Sequence, residues 1–237
     1  MLVRYNLKRT MFSTKEKRRK SAGHNLAFKM WSTKGARFVA DERCKKTYKL
    51  SSFSIAFLSF EVIAISIYSL SGNFESIIET KIITAWTLIL SILFLVLSIF
   101  ENAKNYNVKA KDYHNCGLEI GKVYSKLKML LATNGDNDYN DLSVLNPLQE
   151  DYDKILDKYE NHEEVDYAQY KINKKKDFKV NRWYVLKNQI IIYYNTKLLY
   201  HFLIIIVPIV LITSIVLLKN ANSGDELKGK ADIEIRE

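Results

Sequence analysis

IITAWTLILSILFLVLSIF, residues 82–100, is a run of nineteen residues without a charge. At ~1.5 Å per helical residue it reaches about 30 Å, the thickness of a bilayer's hydrocarbon core. Helices that sit on a soluble core keep a charged or strongly polar face, and this segment has only scattered hydroxyls. Two further runs behave alike. SSFSIAFLSFEVIAISIYSL, residues 51–70, has one charge, Glu61, and LLYHFLIIIVPIVLITSIVLL, residues 198–218, has none. The three runs predict an all-α membrane protein. It has an N-terminal helix, a transmembrane hairpin continuing into a long cytoplasmic helix, further cytoplasmic helices and a third C-terminal transmembrane helix. The expected divisions are a basic arm and helix over 1–50, the hairpin over 51–100 (spans 51–70 and 82–100), a cytoplasmic helical region over 101–197, the third span over 198–218 and a polar tail over 219–237.

Charge sets the expected orientation. The net charge is +10, and residues 1–50 hold 15 Lys and Arg against three acids. Basic residues beside a span stay on the cytoplasmic side. The N-terminus is therefore expected in the cytoplasm, the loop 71–81 outside, residues 101–197 inside again and the tail outside. Tyr68, Trp86, Tyr193, Tyr194 and Tyr200 lie near the expected boundaries, as interfacial aromatics do. Met1–Lys20 has eight basic residues with no apolar stretch close behind them, unlike a signal peptide. Glu16 and the Lys17–Lys20 cluster favour a solvated arm on an anionic lipid surface over an organelle transit sequence. Direct nucleic-acid binding by this arm is open but not favoured. Met11 stands as an alternative start.

The segment after residue 100 has the clearest periodicity. Ala103, Tyr106, Ala110, Tyr113, Gly117, Ile120, Tyr124, Leu127 and Leu131 alternate three- and four-residue steps, flanked by charges. With no proline between Ile82 and Leu131, span and seam are expected to form one rod of about 75 Å. The seam Tyr106, Ala110, Tyr113, Gly117, Ile120, Tyr124 and Leu127 could pack on the N-terminal helix, on later helices or on another subunit. Residues 133–146 read as a loop turning at Asn134-Gly135-Asp136, with Pro147 restarting the chain. The acidic block Glu160–Asp166 and the basic block Lys171–Lys179 read as solvated faces.

Polar residues inside the spans are the candidate site. Glu61 falls near the middle of its span, where an ionised side chain costs about 2.5–3.5 kcal/mol. Ser54, Glu61 and Tyr68 repeat every seven residues. So do Ser52, Ser59 and Ser66, and on the second span Thr84, Ser91 and Ser98. Small hydroxylated residues at this spacing suit close helix packing and would equally line a narrow wet passage. A single hairpin cannot enclose a pore, so a passage requires a homo-oligomer.

Enzyme signatures are missing: no GxxxxGK[ST], GxGxxG, HExxH or GxSxG occurs. No cofactor or metal site is expected. Cys44 and Cys116 form no CxxC pair, and His114 beside Cys116 reads as an ordinary helix face. His162, next to Glu163 and Glu164, reads as solvated rather than as an acid–base cluster.

Lys34-Gly35-Ala36-Arg37-Phe38 through Arg43 and Tyr48 precedes the hairpin. After it come Asn105-Tyr106, Ala110, Tyr113-His114, Cys116, Glu119 and Tyr124…Leu127. This arrangement resembles the SLATT family of bacterial conflict systems, two-transmembrane effectors associated with SMODS and SLOG modules. The resemblance is concentrated in residues 30–132. The third span departs from the two-helix pattern and looks like a longer subgroup found beside reverse transcriptases. The resemblance implies a pore-forming effector in the inner membrane, silent until a cytoplasmic sensor or defence-system partner detects phage. The readings from other classes are a non-conducting anchor or scaffold and a constitutive small channel.

Overall fold

The computed structural model describes residues 21–70, 77–133, 140–210, 212–214 and 216–217, with residues 77–80 described by backbone alone. The basic arm before residue 21, the turn at Asn134-Gly135-Asp136 and the polar tail lie outside the described residues. The helices are α1 (Ala22–Leu70), α2 (Ile77–Ala103), α3 (Tyr106–Thr133), α4 (Leu142–Lys158), α5 (Glu164–Asn173), α6 (Lys175–Phe178) and α7 (Arg182–Thr196). An eighth, α8, runs over Leu198–Ser214. They form two compact units. Met1–Cys44 with Asn107–Gln189 make a polar unit, and Lys45–Tyr106 with Ile190–Glu237 make a membrane unit.

One 49-residue helix, α1, runs through the boundary at residue 50 that the sequence suggests. No proline interrupts it, and its start is capped. The Ser21 hydroxyl accepts from the His24 amide at 3.3 Å, and Asn140 Oδ1 accepts from the Ala22 amide at 2.7 Å. Capping of this kind satisfies amides that a helix start otherwise leaves unpaired.

The rod expected from Ile82 to Leu131 is seen as one helical run of 53 residues, Lys81–Thr133, interrupted locally at Asn105. This residue takes the left-handed conformation (φ 49°), and α2 ends at Ala103 before α3 begins at Tyr106. The last turn tightens, with the Lys104 amide bonding the Glu101 carbonyl and the Asn105 amide that of Asn102. Asparagine tolerates left-handed backbone better than any other residue with a side-chain branch, so it stops a helix as glycine does. Pro147 calls for a correction. It lies inside α4, which starts at Leu142 because Asp141 Oδ1 accepts from the Ser143 amide at 3.0 Å.

The core of the polar unit joins Leu26, Ala27 and Met30 of α1 to Cys116, Ile120, Val123, Leu127 and Leu131 of α3 and to Leu145, Leu148 and Tyr152 of α4. The seam residues Ala110, Tyr113, Gly117, Ile120 and Leu127 are all buried, and Tyr124 is half-buried beneath Lys34 Nζ, 4.9 Å from its ring. A methyl at Gly117 would come within 3.0 Å of the Phe38 ring, so the missing side chain permits that contact. Small residues on α3 thus let α1 come close, and the seam faces its own chain.

Two arginines, Arg37 fully buried and Arg43 partly so, tie α1 to α5 and the connection before it. Arg43 donates from Nε to Asp166 Oδ1 at 2.6 Å and from Nη2 to Glu163 Oε1 at 2.9 Å. Burial opposes the charge on Arg43, but Asp166 and Glu163 more than offset it and raise its pKa above the ordinary value. Asp166 is fully buried, which corrects the reading of Glu160–Asp166 as a solvated face: its carboxylate leaves water because a guanidinium replaces the water. Arg37, also fully buried, donates to the Glu160 carbonyl and to Asn161 Oδ1, with the Tyr113 ring 5.7 Å from its guanidinium. Tyr113 closes the cluster by donating to the Asn161 carbonyl at 3.2 Å, and burial pushes its pKa up to about 12. His162 is packed here rather than solvated, its ring edge-on to that of Tyr167 and its Nδ1 buried with no hydrogen-bond partner among the described residues.

Two tests follow from this unit. A Cβ at Gly35 would overlap the Tyr170 ring, so Gly35→Ala should lower stability by about 1–3 kcal/mol, seen as earlier thermal loss of helical circular dichroism. Burial, reinforced by Arg37, holds the His162 imidazole below its ordinary pKa. The unfolded chain takes up that proton near pH ~6.5 and the folded chain resists it. The contribution of His162 is therefore complete above about pH 6.5 and declines as pH falls below it. His162→Gln should flatten the fall of Tm between about pH 6.5 and 5.

Candidate functional site in the membrane helices

Within the membrane half of α1, Ser51, Ser54, Leu58 and Glu61 are buried. Their three- and four-residue spacing places them on one helical face. Ile83, Leu90 and Glu101 of α2, Thr196 of α7, and Tyr200 and Leu203 of α8 are the other buried positions of this unit that bear on the site. Outside that interior the surface is apolar, with Phe60, Ile67, Leu93, Phe100, Phe202 and Ile209 all exposed. Such a surface suits hydrocarbon, not water.

The structure sorts the three polar stripes. Ser54 and Glu61 reach the interior. Ser59 and Ser66 are half-buried at its flank, as are Ser91 and Ser98, while Thr84 is exposed. Ser54, Ser66 and Ser91 each donate to the carbonyl four residues earlier, at Leu50, Val62 and Thr87, all at 2.8 Å. A hydroxyl satisfied inside its own helix needs neither water nor a neighbouring helix. These serines are consequently compatible with lipid, with packing and with a passage.

Glu61 differs from all of them. The residue is 9 % exposed, and both carboxylate oxygens are buried with no hydrogen-bond partner among the described residues. A buried carboxyl left without donors costs more than almost any other arrangement of a side chain.

A second carboxylate, which the sequence reading overlooked, is fully partnered. Glu101 Oε2 accepts from Ser51 Oγ at 2.8 Å and from Tyr200 Oη at 2.7 Å, while Oε1 accepts from Lys104 Nζ at 2.5 Å. The Tyr106 hydroxyl lies 3.5 Å from that of Tyr200. One side chain thereby joins α1, α2 and α8. The sequence held a signal: Ser51 opens the first apolar run, Glu101 closes the second, and Tyr200 begins the third. A hairpin brings the first two to the same side of a bilayer. The polar ends of the three runs could have been paired on that ground.

Among the described residues no three His, Cys, Asp or Glu side chains gather as metal ligands. His114 instead lies 3.1 Å from Asp41, and Cys116 is in the core.

Two helices are long and apolar enough to cross a membrane, those built on Ala22–Leu70 and on the segment from Lys81, and a bent pair, Arg182–Thr196 with Leu198–Ser214, could supply a third. With their apolar outer faces they define an all-helical membrane protein. The model of the SMODS and SLOG-associating 2TM effector domain family 5 (SLATT_5) matches residues 19–214, and the chain belongs to that family. The match extends past residue 132 through α8, so the helices beyond α3 belong to the family domain and are not an addition to it. No catalytic activity is indicated. No curated protein and no solved structure matches the chain.

The Glu101 junction yields a direct test. Glu101→Ala leaves Ser51, Tyr200 and Lys104 without their acceptor and should destabilise the membrane unit by about 2–4 kcal/mol. Glu101→Gln keeps an acceptor oxygen and should lose less than half of that. Thermal unfolding in a mild detergent measures both.

Proposed function

We propose that this chain is an oligomeric membrane effector of antiphage defence that permeabilises the inner membrane when a sensor partner triggers it. Family membership supplies the class: an effector domain with two transmembrane helices, associated with SMODS and SLOG modules. The observation that carries the pore reading is Glu61. Helix packing does not require a carboxylate, and one held in the interior without a donor is poised to meet water or a cation when the helices shift. The half-buried Ser59, Ser66, Ser91 and Ser98 and the exposed Thr84 offer hydroxyls that could line a passage or let subunits approach. The basic N-terminal segment supports a cytoplasmic N-terminus held against anionic lipid. The seam from Tyr106 to Leu127 holds the signal-receiving helices together. A sensor then opens the membrane helices only by binding the open state more tightly than the closed one.

The test is membrane potential, followed with a voltage-sensitive dye after controlled induction in bacteria. Depolarisation should precede growth arrest. Glu61→Gln should slow it several-fold while the protein still fractionates with membranes. If Glu61→Gln depolarises as fast as the parent, Glu61 has no part in conduction. A steady potential, even during phage infection with the neighbouring genes present, would leave a non-conducting scaffold as the function.

A further inference from the structure

The polar unit carries more positive charge near its end than its fold uses. Lys171, Lys174, Lys175, Lys176, Lys179 and Arg182 fall within twelve residues, with Asp177 the one acid among them. Lys174, Lys175, Lys176 and Lys179 are exposed and form no ion pair among the described residues. Elsewhere in the unit lysines are engaged: Lys29 and Lys158 meet Asp153 and Glu119, and Lys34 lies over the Tyr124 ring. Like charges crowded on one segment repel, and a multivalent anion relieves that repulsion.

Aromatic rings lie beside these lysines. Phe178 of α6 stacks on Trp31 of α1, with ring centres 5.8 Å and planes 17° apart, and is edge-on to Tyr170 of α5. Phe28, 43 % exposed, adds a tilted ring 5.7 Å from Trp31 and 5.9 Å from Phe178. Open grooves flank the cluster. One, of about 230 Å³, is lined by Phe28, Trp31, Tyr124 and Lys128. Another, of about 340 Å³, is lined by Lys171, Phe178, Lys179 and Tyr184. Because Phe28 and Trp31 of the first pack against Phe178 of the second, the grooves adjoin across the shared rings. All of these residues belong to the polar unit.

The ligand must match both features. An acidic peptide satisfies the lysines but leaves flat-walled grooves without a flat occupant. Nucleic acid supplies a π-face for each ring and a phosphate for each lysine. Bases in a duplex are already stacked on one another, so a single strand is the form that offers them. A lone nucleotide fills one groove and leaves the other, with most of the lysines, unused. We infer that this face of the polar unit binds single-stranded nucleic acid, with bases stacked in the two grooves on Tyr124, Trp31 and Tyr184 and phosphates held by Lys128, Lys171 and Lys179. Stacking on rings tolerates any base, so the site reads strandedness rather than sequence. It does not depend on the protein's conducting ions.

The test uses the full chain in nanodiscs of phosphatidylcholine, whose zero net charge keeps lipid from competing for the lysines. Binding of a fluorescein-labelled oligothymidylate of about 12 nucleotides is followed by anisotropy in ~0.15 M salt. This strand should bind about tenfold more tightly than its duplex with oligoadenylate, and than an abasic strand of equal length. Lys171→Gln with Lys179→Gln should weaken binding about fivefold. Lys111→Gln with Lys154→Gln, which removes the same charge at exposed positions outside the grooves, should change it little. Trp31→Phe keeps a ring against Phe178 and removes the Trp31 emission, so its difference from the parent isolates Trp31. The strand should quench that emission and the abasic strand should not. Equal binding of duplex or abasic strand, or equal loss from the two lysine pairs, would mean that charge alone attracts nucleic acid. Displacement by polyglutamate of matched charge would make the face a seat for an acidic protein. Displacement by thymidine monophosphate at matched phosphate would make it a site for one nucleotide. Each of these, or no binding, overturns the inference. Because no arm reads ion flow, failure of the pore reading would leave these outcomes unchanged.

Discussion

Apolar helices in a bilayer gain nothing by leaving hydrocarbon for one another, since lipid tails are as greasy as leucine. Their arrangement has to be specified by packing and by polar contacts. In this protein the carboxylate of Glu101 is the polar contact on which the membrane unit depends. It accepts from Ser51 of α1, Tyr200 of α8 and Lys104 just beyond α2. Three donors on one acid fix where three helices begin and end relative to each other. The position is also energetically sensible. A buried carboxylate near the end of a span can keep a half-exposed lysine as counter-ion, which a residue at mid-span cannot.

Glu61 shows the other case. It is on the same face of α1 as Ser51 and Ser54, but ten residues deeper than Ser51, about 15 Å along the helix. There no donor reaches either oxygen among the described residues. One acid stabilises the resting arrangement, and the other is stressed by it.

The polar unit is built on different physics. Water surrounds it, so apolar burial between α1, α3 and α4 supplies the cohesion. Its polar groups then select one geometry. Arg37 and Arg43 bring positive charge into the interior and meet the carbonyl of Glu160, the amide of Asn161 and the carboxylate of Asp166. Gly35 and Gly117 give room to the Tyr170 and Phe38 rings. Helix α1 contributes to both units, starting at Ala22 and ending at Leu70.

By itself the sequence determined the class. Length without charge at 82–100 requires a span, because the thickness of hydrocarbon and the rise of a helix are both fixed quantities. The seven-residue recurrence in α3 marked the buried positions Ala110, Tyr113, Gly117, Ile120 and Leu127, because helical periodicity is local. The residues around Gly35 and Tyr113 marked the family for the same reason: motifs are read along the chain. Only the tertiary structure decided the rest. The stop at Asn105 and the helical start at Leu142 rest on single caps that compete closely with continued helix or loop. Burial of Asp166 required Arg43, 123 residues away, and the partners of Glu101 lie 50 and 99 residues from it. Such pairings are invisible to periodicity because a carboxylate's cost is set by the donors that folding brings to it. The same acid is a surface charge, a junction or an unpartnered group according to what the fold puts beside it.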